Sequence, residues 1–297
     1  MLDCRAMRWN VPLPMVRPEH LLPLARAIEE HGYDSIAMPD SVFFPEKVSA
    51  PYPYTDDGER FWAPDTPFLD PFVAVPAMAA VTEHVRFVTN VVKLPLRNPL
   101  LAAKQVASIA ALSNDRFTLG VGLSWMPEEF EWTGTEMRTR GARTDEAIDI
   151  IRAVCAGGGP QWVEHHGRHY DFGRLMISPA PSKRVPIWVG GHSEPALQRA
   201  ARRGDGWISV NTTEAECALA IARLRALRDE IGQGAEPFEV LALCIDVWDL
   251  DGYRRLEECG VTEVQVLPWY LYGGDPDDLH VRLGALGRFA DEVVRRF

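Results

Sequence analysis

Residues 186–207 contain the arrangement with the clearest chemical meaning in this sequence. The apolar residues 187–189 predict a buried strand, Gly190 and Gly191 let the backbone turn with its N–H groups outward, and Ser193 stands where a helix cap is expected. Free N–H groups and the positive end of a helix dipole attract phosphate. The segment therefore indicates either a phosphate site or a simple tight turn between strand and helix.

Small and polar residues also follow other apolar segments of the chain. They are Asp40, Ser41, Thr89, Asn90, Gly122, Ser124 and His192. This set holds little acid–base machinery, and Ser124 lies in Gly-Leu-Ser-Trp rather than between the glycines that expose the serine of a hydrolase. The pattern disfavours hydrolysis and favours an enzyme whose cofactor carries the chemistry.

Strand-like and helical segments alternate along the whole chain. Strands are predicted at residues 7–12, 35–38, 86–92, 117–121, 186–189, 206–210, 240–247 and 262–267. Helices are predicted at residues 19–31, 99–112, 144–155, 195–203, 214–231, 251–259 and 276–295. Eight strand–helix units favour an α/β protein with a single (β/α)8 TIM barrel domain over residues 1–297, because closure leaves no strand edge exposed. The active site of such a barrel lies just after its strands.

Two long segments interrupt this alternation, at residues 43–70 and 157–186. Aromatic residues of the first segment are expected to wall an apolar substrate cavity or to join the core, together with Trp125, Trp248 and Trp269. The second segment predicts a hairpin at residues 163–172. It contains His165, His166 and His169, but neighbouring histidines of a hairpin point to opposite faces, so we predict no metal site.

Charged residues near the middle of the chain allow two interpretations. Glu128 and Glu129 are either a catalytic carboxylate pair or acids that stabilise a helix beginning at Pro127, and the helix dipole is the favoured explanation. Arg140 and Arg143 are either an anion site or part of a salt-bridge patch with residues 145–146, and we favour the patch.

Composition excludes several classes of partner. The chain has 42 acidic and 31 basic residues, a net charge of −11, and no basic block suited to nucleic acid. No apolar segment is long enough to span a membrane. Five cysteines, Cys4, Cys155, Cys217, Cys244 and Cys259, are scattered without metal or redox spacing and predict reduced thiols. We expect a cytoplasmic protein that binds neither nucleic acid nor membrane.

Several segments in the same order resemble the luciferase-like superfamily, and within it the oxidoreductases that use the deazaflavin coenzyme F420. They lie at residues 32–36, 88–99, 103–107, 119–122, 128–130, 140–146 and 186–191. The resemblance implies a homodimeric (β/α)8 barrel with a cofactor ring across the strand ends and a cis peptide bond between Asn90 and Val91. It implies that Gly190, Gly191 and His192 lie near the cofactor phosphate. Contacts with the ring and ribityl chain are implied for Asp40, Thr89, Asn90, Gly122 and Ser124.

Two positions depart from the family pattern. Ser41 stands where many relatives carry a histidine assigned to acid–base work, and Ser124 stands where many have glycine. We predict hydride transfer between F420 and a small organic substrate, with Asp40, Ser41, Ser124 or a water relaying the proton. An FMN-dependent monooxygenase and a non-catalytic flavin-binding relative remain the alternatives.

Overall fold

A closed barrel of parallel strands forms the centre of the protein in a computed structural model that describes residues 7–297. The strands are β1 (Arg8–Pro12), β2 (Ser35–Met38), β3 (Arg86–Thr89), β4 (Val92–Lys93), β5 (Phe117–Gly122), β6 (Trp162–His166), β7 (Asp171–Met176), β8 (Ile187–Gly190), β9 (Gly206–Thr212), β10 (Glu239–Cys244) and β11 (Glu263–Gln265). Neighbours around the barrel follow the order β3, β2, β1, β11, β10, β9, β8 and β5. The pairing of β3 with β5 closes the ring, so the predicted eight-stranded TIM barrel is confirmed.

Helices connect the strands. They are α1 (Pro18–Glu30), α2 (Pro71–Ala79), α3 (Pro99–Leu112), α4 (Pro127–Trp132), α5 (Arg140–Val154), α6 (Glu194–Arg203), α7 (Glu214–Glu230), α8 (Leu250–Cys259) and α9 (Leu279–Glu292). Side chains cap several of them where the sequence supplies an acceptor. Asn98 accepts the N–H of Leu100 at 2.9 Å at the start of α3, and Thr213 forms a reciprocal capping box with Glu216 at the start of α7.

Most predicted elements are confirmed, with differences at their ends. The bounds of β2 and α3 agree with the prediction, whereas the strand predicted at residues 86–92 is broken between β3 and β4. The strand predicted at residues 240–247 ends at Cys244, and the helix predicted at residues 276–295 begins at Leu279. The predicted hairpin forms from β6 and β7, which pair antiparallel. The prediction lacked α2 altogether, because its sequence has prolines at its first and sixth positions and no polar face.

Apolar side chains fill both sides of the barrel wall. Alternate strand residues face the helices, whose inner faces are also apolar; on α5, for example, Ala147, Ile148 and Ile151 are buried as expected from their helical spacing. The other strand residues fill the barrel interior. A layer of these consists of Ala37, Val88, Trp188, Ile208 and Leu241.

Charged residues close the amino-terminal end of the barrel. Glu263 is completely buried, and its Oε2 accepts hydrogen bonds from Arg8 Nε at 3.0 Å and Arg86 Nη2 at 2.7 Å. Its Oε1 accepts the hydroxyl of Ser35 and, at 3.4 Å, the amide of Asn10. Burial acts to raise the pKa of Glu263, but the attraction of Arg86 and Arg8 and the Ser35 hydroxyl outweigh it, so the pKa lies below its ordinary value.

Four cysteines of the described residues are free thiols, namely Cys155, Cys217, Cys244 and Cys259, and the first three of them are buried. Cys4 lies outside the described residues.

Within residues 7–297, no helix has the length and apolar character needed to cross a membrane.

Glu263→Gln should destabilise the protein by about 3–5 kcal/mol at neutral pH, because it leaves Arg8 and Arg86 beside an uncharged amide inside the barrel. The lowered pKa means that the stabilisation exists above the ordinary carboxyl range and is lost as pH falls through the native pKa. The difference between wild type and variant should therefore shrink as the pH falls. Urea unfolding between pH 7 and pH 3 measures it.

Glu239→Gln is the matched control for this experiment. Glu239 also pairs with Arg8, but its side chain is 35% exposed, so its removal should cost much less. Equal losses in the two variants, or a loss that does not change with pH, would contradict the role assigned to Glu263.

Candidate active site at the carboxyl ends of the strands

Val91 occupies the centre of the barrel end that carries residues 39–41, 90–93, 122–125 and 190–193, which we call the mouth. The Asn90–Val91 peptide bond is cis, as the family resemblance implied. A Cβ atom on Gly122 would lie 2.4 Å from Val91 Cγ2, and one on Gly190 would lie 2.9 Å from Val91 Cγ1. Both positions must therefore be glycine for Val91 to sit between the ends of β5 and β8.

Thr89 binds the neighbouring strand and is not open to the mouth. Its buried hydroxyl donates to the carbonyl of Gly120 at 2.7 Å and accepts the N–H of the same residue at 2.8 Å. A Cβ on Gly120 would lie only 1.8 Å from the Thr89 carbonyl oxygen. Thr89 and Gly120 thus hold β3 and β5 close together just before the mouth.

Carboxamide groups lie inside the barrel next to the mouth. Asn90 Nδ2 donates to Gln265 Oε1 at 3.3 Å, and Gln265 pairs in register with Asn10. Gln265 Nε2 and Asn10 Oδ1 are buried and have no hydrogen-bond partner among the described residues. Asn10 and Gln265 are both buried, so these two atoms line the closed interior of the barrel beneath Asn90.

Backbone N–H groups of residues 191–194 lie together at the start of α6, and we call this segment the nest. These four N–H groups have no acceptor within the described part of the chain. Ser193 takes the N-cap position, but its hydroxyl makes no capping bond, so the predicted side-chain cap is wrong. The donors that a cap would satisfy are left for an anion.

Trp207 fixes the orientation of the nest. Its buried indole Nε1 donates to the carbonyl of Gly191 at 2.8 Å. Because C=O and N–H point in opposite directions in a trans peptide, the N–H of His192 is directed away from the indole. Gly191 has a φ of +116°, which favours glycine. Trp207 closes the stretch from which the phosphate site was predicted, but sequence reasoning did not give its indole this role.

His192 lies beside the nest with a defined ring orientation. Its Nε2 is 3.2 Å from the hydroxyl of Ser209, and its ring meets those of Tyr54 and Trp207 edge to face. Partial removal from water lowers the pKa of His192, and the more distant Glu216 opposes this only in part. The imidazole is therefore neutral at neutral pH.

Asp40 is occupied by neighbouring groups. Its two oxygens accept from Arg97 at 2.6 and 2.9 Å, and Oδ2 also accepts the backbone N–H of Lys93 at 2.8 Å. The carboxylate holds the segment that follows β4 in place, so it is not a free acid at the mouth. Ser41 is half-buried, and its hydroxyl has no hydrogen bond among the described residues.

Ser124 connects the mouth to a buried ion pair. Its φ is +64°, and its hydroxyl donates to Glu129 Oε2 at 2.5 Å. The other oxygen of Glu129 accepts from the ammonium group of Lys93, and the Glu129 carboxylate is completely buried. The helix-dipole interpretation accounts for the place of Glu129 in the first turn of α4, but it missed this pair. The only sequence signal for the contact between Ser124 and Glu129 was a carboxylate five residues after the serine.

An aromatic cluster of the 43–70 loop covers one side of the mouth. Tyr52 meets Trp125 with ring centroids 5.4 Å apart, and it also contacts Tyr54 and Trp62. The loop therefore shapes the entrance, as expected for an insertion on this face of a barrel. Trp269 belongs to the core instead, whereas Trp248 is half exposed.

The remaining sequence hypotheses have mixed outcomes. Arg140 and Arg143 do not form the expected salt-bridge patch; Arg143 donates to the carbonyls of Pro95 and Glu136, and Arg140 to that of Met137. In the hairpin, His166 pairs with Asp171 at 2.6 Å. Across residues 7–297 no group of three or more candidate ligands could hold a metal ion.

Residues 8–251 match the model of the luciferase-like monooxygenase family. The chain belongs to this family. It is 41% identical over 293 residues to an uncharacterized protein of Mycobacterium tuberculosis, covering 98% of this chain and 100% of that protein. It is also 27% identical over 284 residues to an F420-dependent glucose-6-phosphate dehydrogenase of Nakamurella multipartita, covering 93% of this chain and 76% of the relative.

Solved structures show the same fold at low identity. Monooxygenase RslO1 from Streptomyces bottropensis superposes with a TM-score of 0.75 at 19% identity, covering 98% of this chain and 99% of the other. An F420-dependent secondary alcohol dehydrogenase, in complex with an F420–acetone adduct, superposes with a TM-score of 0.74 at 16% identity over 98% and 99% of the two chains. At these identities the two superpositions show a shared fold.

Gly122→Ala should destabilise the protein by about 1–3 kcal/mol, because the new methyl group meets Val91 in a filled space. Adding Val91→Ala should restore much of the stability, because it removes the methyl groups that clash. Chemical denaturation of the single and double variants measures both effects.

Gly173→Ala, in β7, is a suitable control, since a Cβ there would have no neighbour within 4 Å. Additive losses for Gly122→Ala and Val91→Ala would contradict the close approach that the structure shows.

Proposed function

We propose that this protein is an F420-dependent oxidoreductase that transfers a hydride between the deazaflavin and a small organic substrate. The observation that carries the proposal is the nest of free N–H groups at residues 191–194, placed beside the glycine-lined surface around Val91. A phosphate and a flat ring system are the two parts of a flavin-like cofactor. The F420-dependent dehydrogenase relatives support the deazaflavin over FMN.

The residues at the mouth fit such a cofactor. Residues 191–194 would hold its phosphate, and the Val91 side chain with Gly122 and Gly190 would support its ring. When bound, the deazaflavin would supply or accept the hydride, and the protein would supply position and electrostatics.

Recognition of the phosphate would depend on the backbone more than on side-chain cations. The two cations described at the mouth, Lys93 and Arg97, are each paired with a carboxylate. Neutral N–H donors at a helix start still bind anions well, because the helix dipole adds to them. A net charge of −11 does not oppose this, since distant charges are screened beyond about 8–10 Å.

Titration of the purified protein with F420 and with FMN tests the assignment. We expect F420 to bind at least about tenfold more tightly, a difference of about 1.4 kcal/mol, in absorbance and fluorescence titrations. Oxidised F420 should then be reduced by a member of a panel of small alcohols and sugar phosphates. Preferential FMN binding with oxygen-dependent turnover would replace the proposal with a flavin monooxygenase. Tight binding without hydride transfer to or from any member would indicate a non-catalytic relative.

His192→Ala should weaken F420 binding by about 1–2 kcal/mol, because the cofactor phosphate would lose a polar contact with the imidazole ring. Because the pKa of His192 is lowered, its ring is neutral at neutral pH and gains a positive charge only as the pH falls. The affinity of the wild type for F420 should therefore rise in mildly acidic solution. The variant should lose this rise. Fluorescence titration between pH 5.5 and 8 measures both effects, with His84→Ala, at an exposed position, as the control.

A further inference from the structure

Lys93, Glu129 and Ser124 form a continuous polar chain from the interior to the mouth. The Lys93 ammonium pairs with one carboxylate oxygen of Glu129, and the other oxygen accepts the Ser124 hydroxyl at 2.5 Å. The side chain of Glu129 has no exposed surface, and that of Lys93 is 12% exposed. Ser124 itself is half-buried at the end of β5, so it separates the buried carboxylate from the space at the mouth.

Among the described acid–base groups near the mouth, Glu129 is the one that a hydroxyl group, that of Ser124, connects to the mouth. Asp40 is held by both guanidinium nitrogens of Arg97 and by the Lys93 backbone, and no hydroxyl group donates to it among the described residues. His192 lies at the nest, on a different strand end. A buried charge pair is costly to maintain, and packing α4 against β4 needs only apolar groups. The position of the Lys93–Glu129 pair beside the mouth gives it a functional reason.

We propose that Glu129 accepts the proton of the reaction through Ser124, and that Lys93 is a positioning residue that holds the Glu129 carboxylate through their ion pair. The inference rests on the proposed function. When bound, oxidised F420 would supply the acceptor for the hydride that an alcohol substrate loses as its C–H bond breaks. The substrate O–H proton would pass to Ser124 Oγ, while Ser124 would give its own proton to Glu129 Oε2. The alcohol would thus become a carbonyl compound by losing a hydride to the cofactor and a proton to Glu129. The reverse steps describe carbonyl reduction.

Glu129→Gln tests the proposal, because the amide keeps the shape but accepts no proton. We expect kcat for the best alcohol of the panel to fall by about 100-fold or more, while the F420 dissociation constant changes less than about threefold. The acidic limb of the kcat–pH profile should disappear. Ser124→Ala should show the same loss of kcat.

Glu128→Gln is the matched control. Glu128 lies in the same turn of α4, and its Oε1 accepts the N–H of Ser49 at 2.7 Å. A drop in kcat equal to that of Glu129→Gln would overturn the assignment, because any disturbance of α4 would then have the same effect. Near wild-type kcat and pH profile in this variant are expected.

The double variant Lys93→Met with Glu129→Gln separates chemistry from folding. It leaves no unpaired buried charge, so it should unfold at or above the wild-type temperature. Its kcat should stay as low as that of Glu129→Gln. A double variant with wild-type kcat would show that the pair is only structural, and the proposal would fail.

Infrared titration of the cofactor-free protein gives a readout independent of turnover. We expect a carboxyl band that appears reversibly on acidification, is absent in Glu129→Gln and persists in Glu128→Gln. Absence of this band up to acid unfolding would overturn the proposal. If wild-type protein does not bind F420, the proposed function itself fails; if it binds and turns over F420 but Glu129→Gln is unaffected, only the proton-transfer inference fails.

Discussion

The close approach of Val91 to the backbones of β5 and β8 is the constraint on which the rest of the mouth depends. It requires glycine at positions 122 and 190, while the contact between Thr89 and Gly120 draws the neighbouring strands together one step earlier. Gly191, which follows Gly190, then turns the chain into α6 and leaves N–H groups free. In the proposed function, ring support and anion binding would therefore depend on one arrangement of the backbone, in which glycines replace side chains as the recognition elements.

Paired charges occur at both ends of the barrel but serve different purposes. At the amino-terminal end, Glu263 between Arg8 and Arg86 fills the interior where no ligand is expected. At the mouth, Asp40 pairs with Arg97 in the segment after β4, and Lys93 at the end of β4 pairs with Glu129. The residues that face the mouth are thus left largely uncharged, which suits a site where the binding of an anion depends on backbone dipoles.

The sequence predicted the barrel fold well, but it predicted fewer of the contacts at the mouth. Alternation of apolar strands and amphipathic helices gave the fold, because burial on both sides of a parallel sheet leaves a strong periodic pattern. Helix α2 was missed since it has no polar face and contains Pro76. The contact of Lys93 with Glu129 spans 36 residues, and no local pattern encodes such a contact. Arg143 was misjudged because its neighbours in sequence are acidic, whereas its partners in space are carbonyl groups.

Trp207 has a part in both the core and the nest, and this dual role has a thermodynamic consequence. Its indole is buried among the apolar side chains outside β9, yet its N–H fixes the peptide that follows Gly191. Occupation of the nest and integrity of the core are consequently linked equilibria. An anion held there would protect β8 and β9 from local opening, and strain introduced behind the indole would be felt as weakened ligand retention.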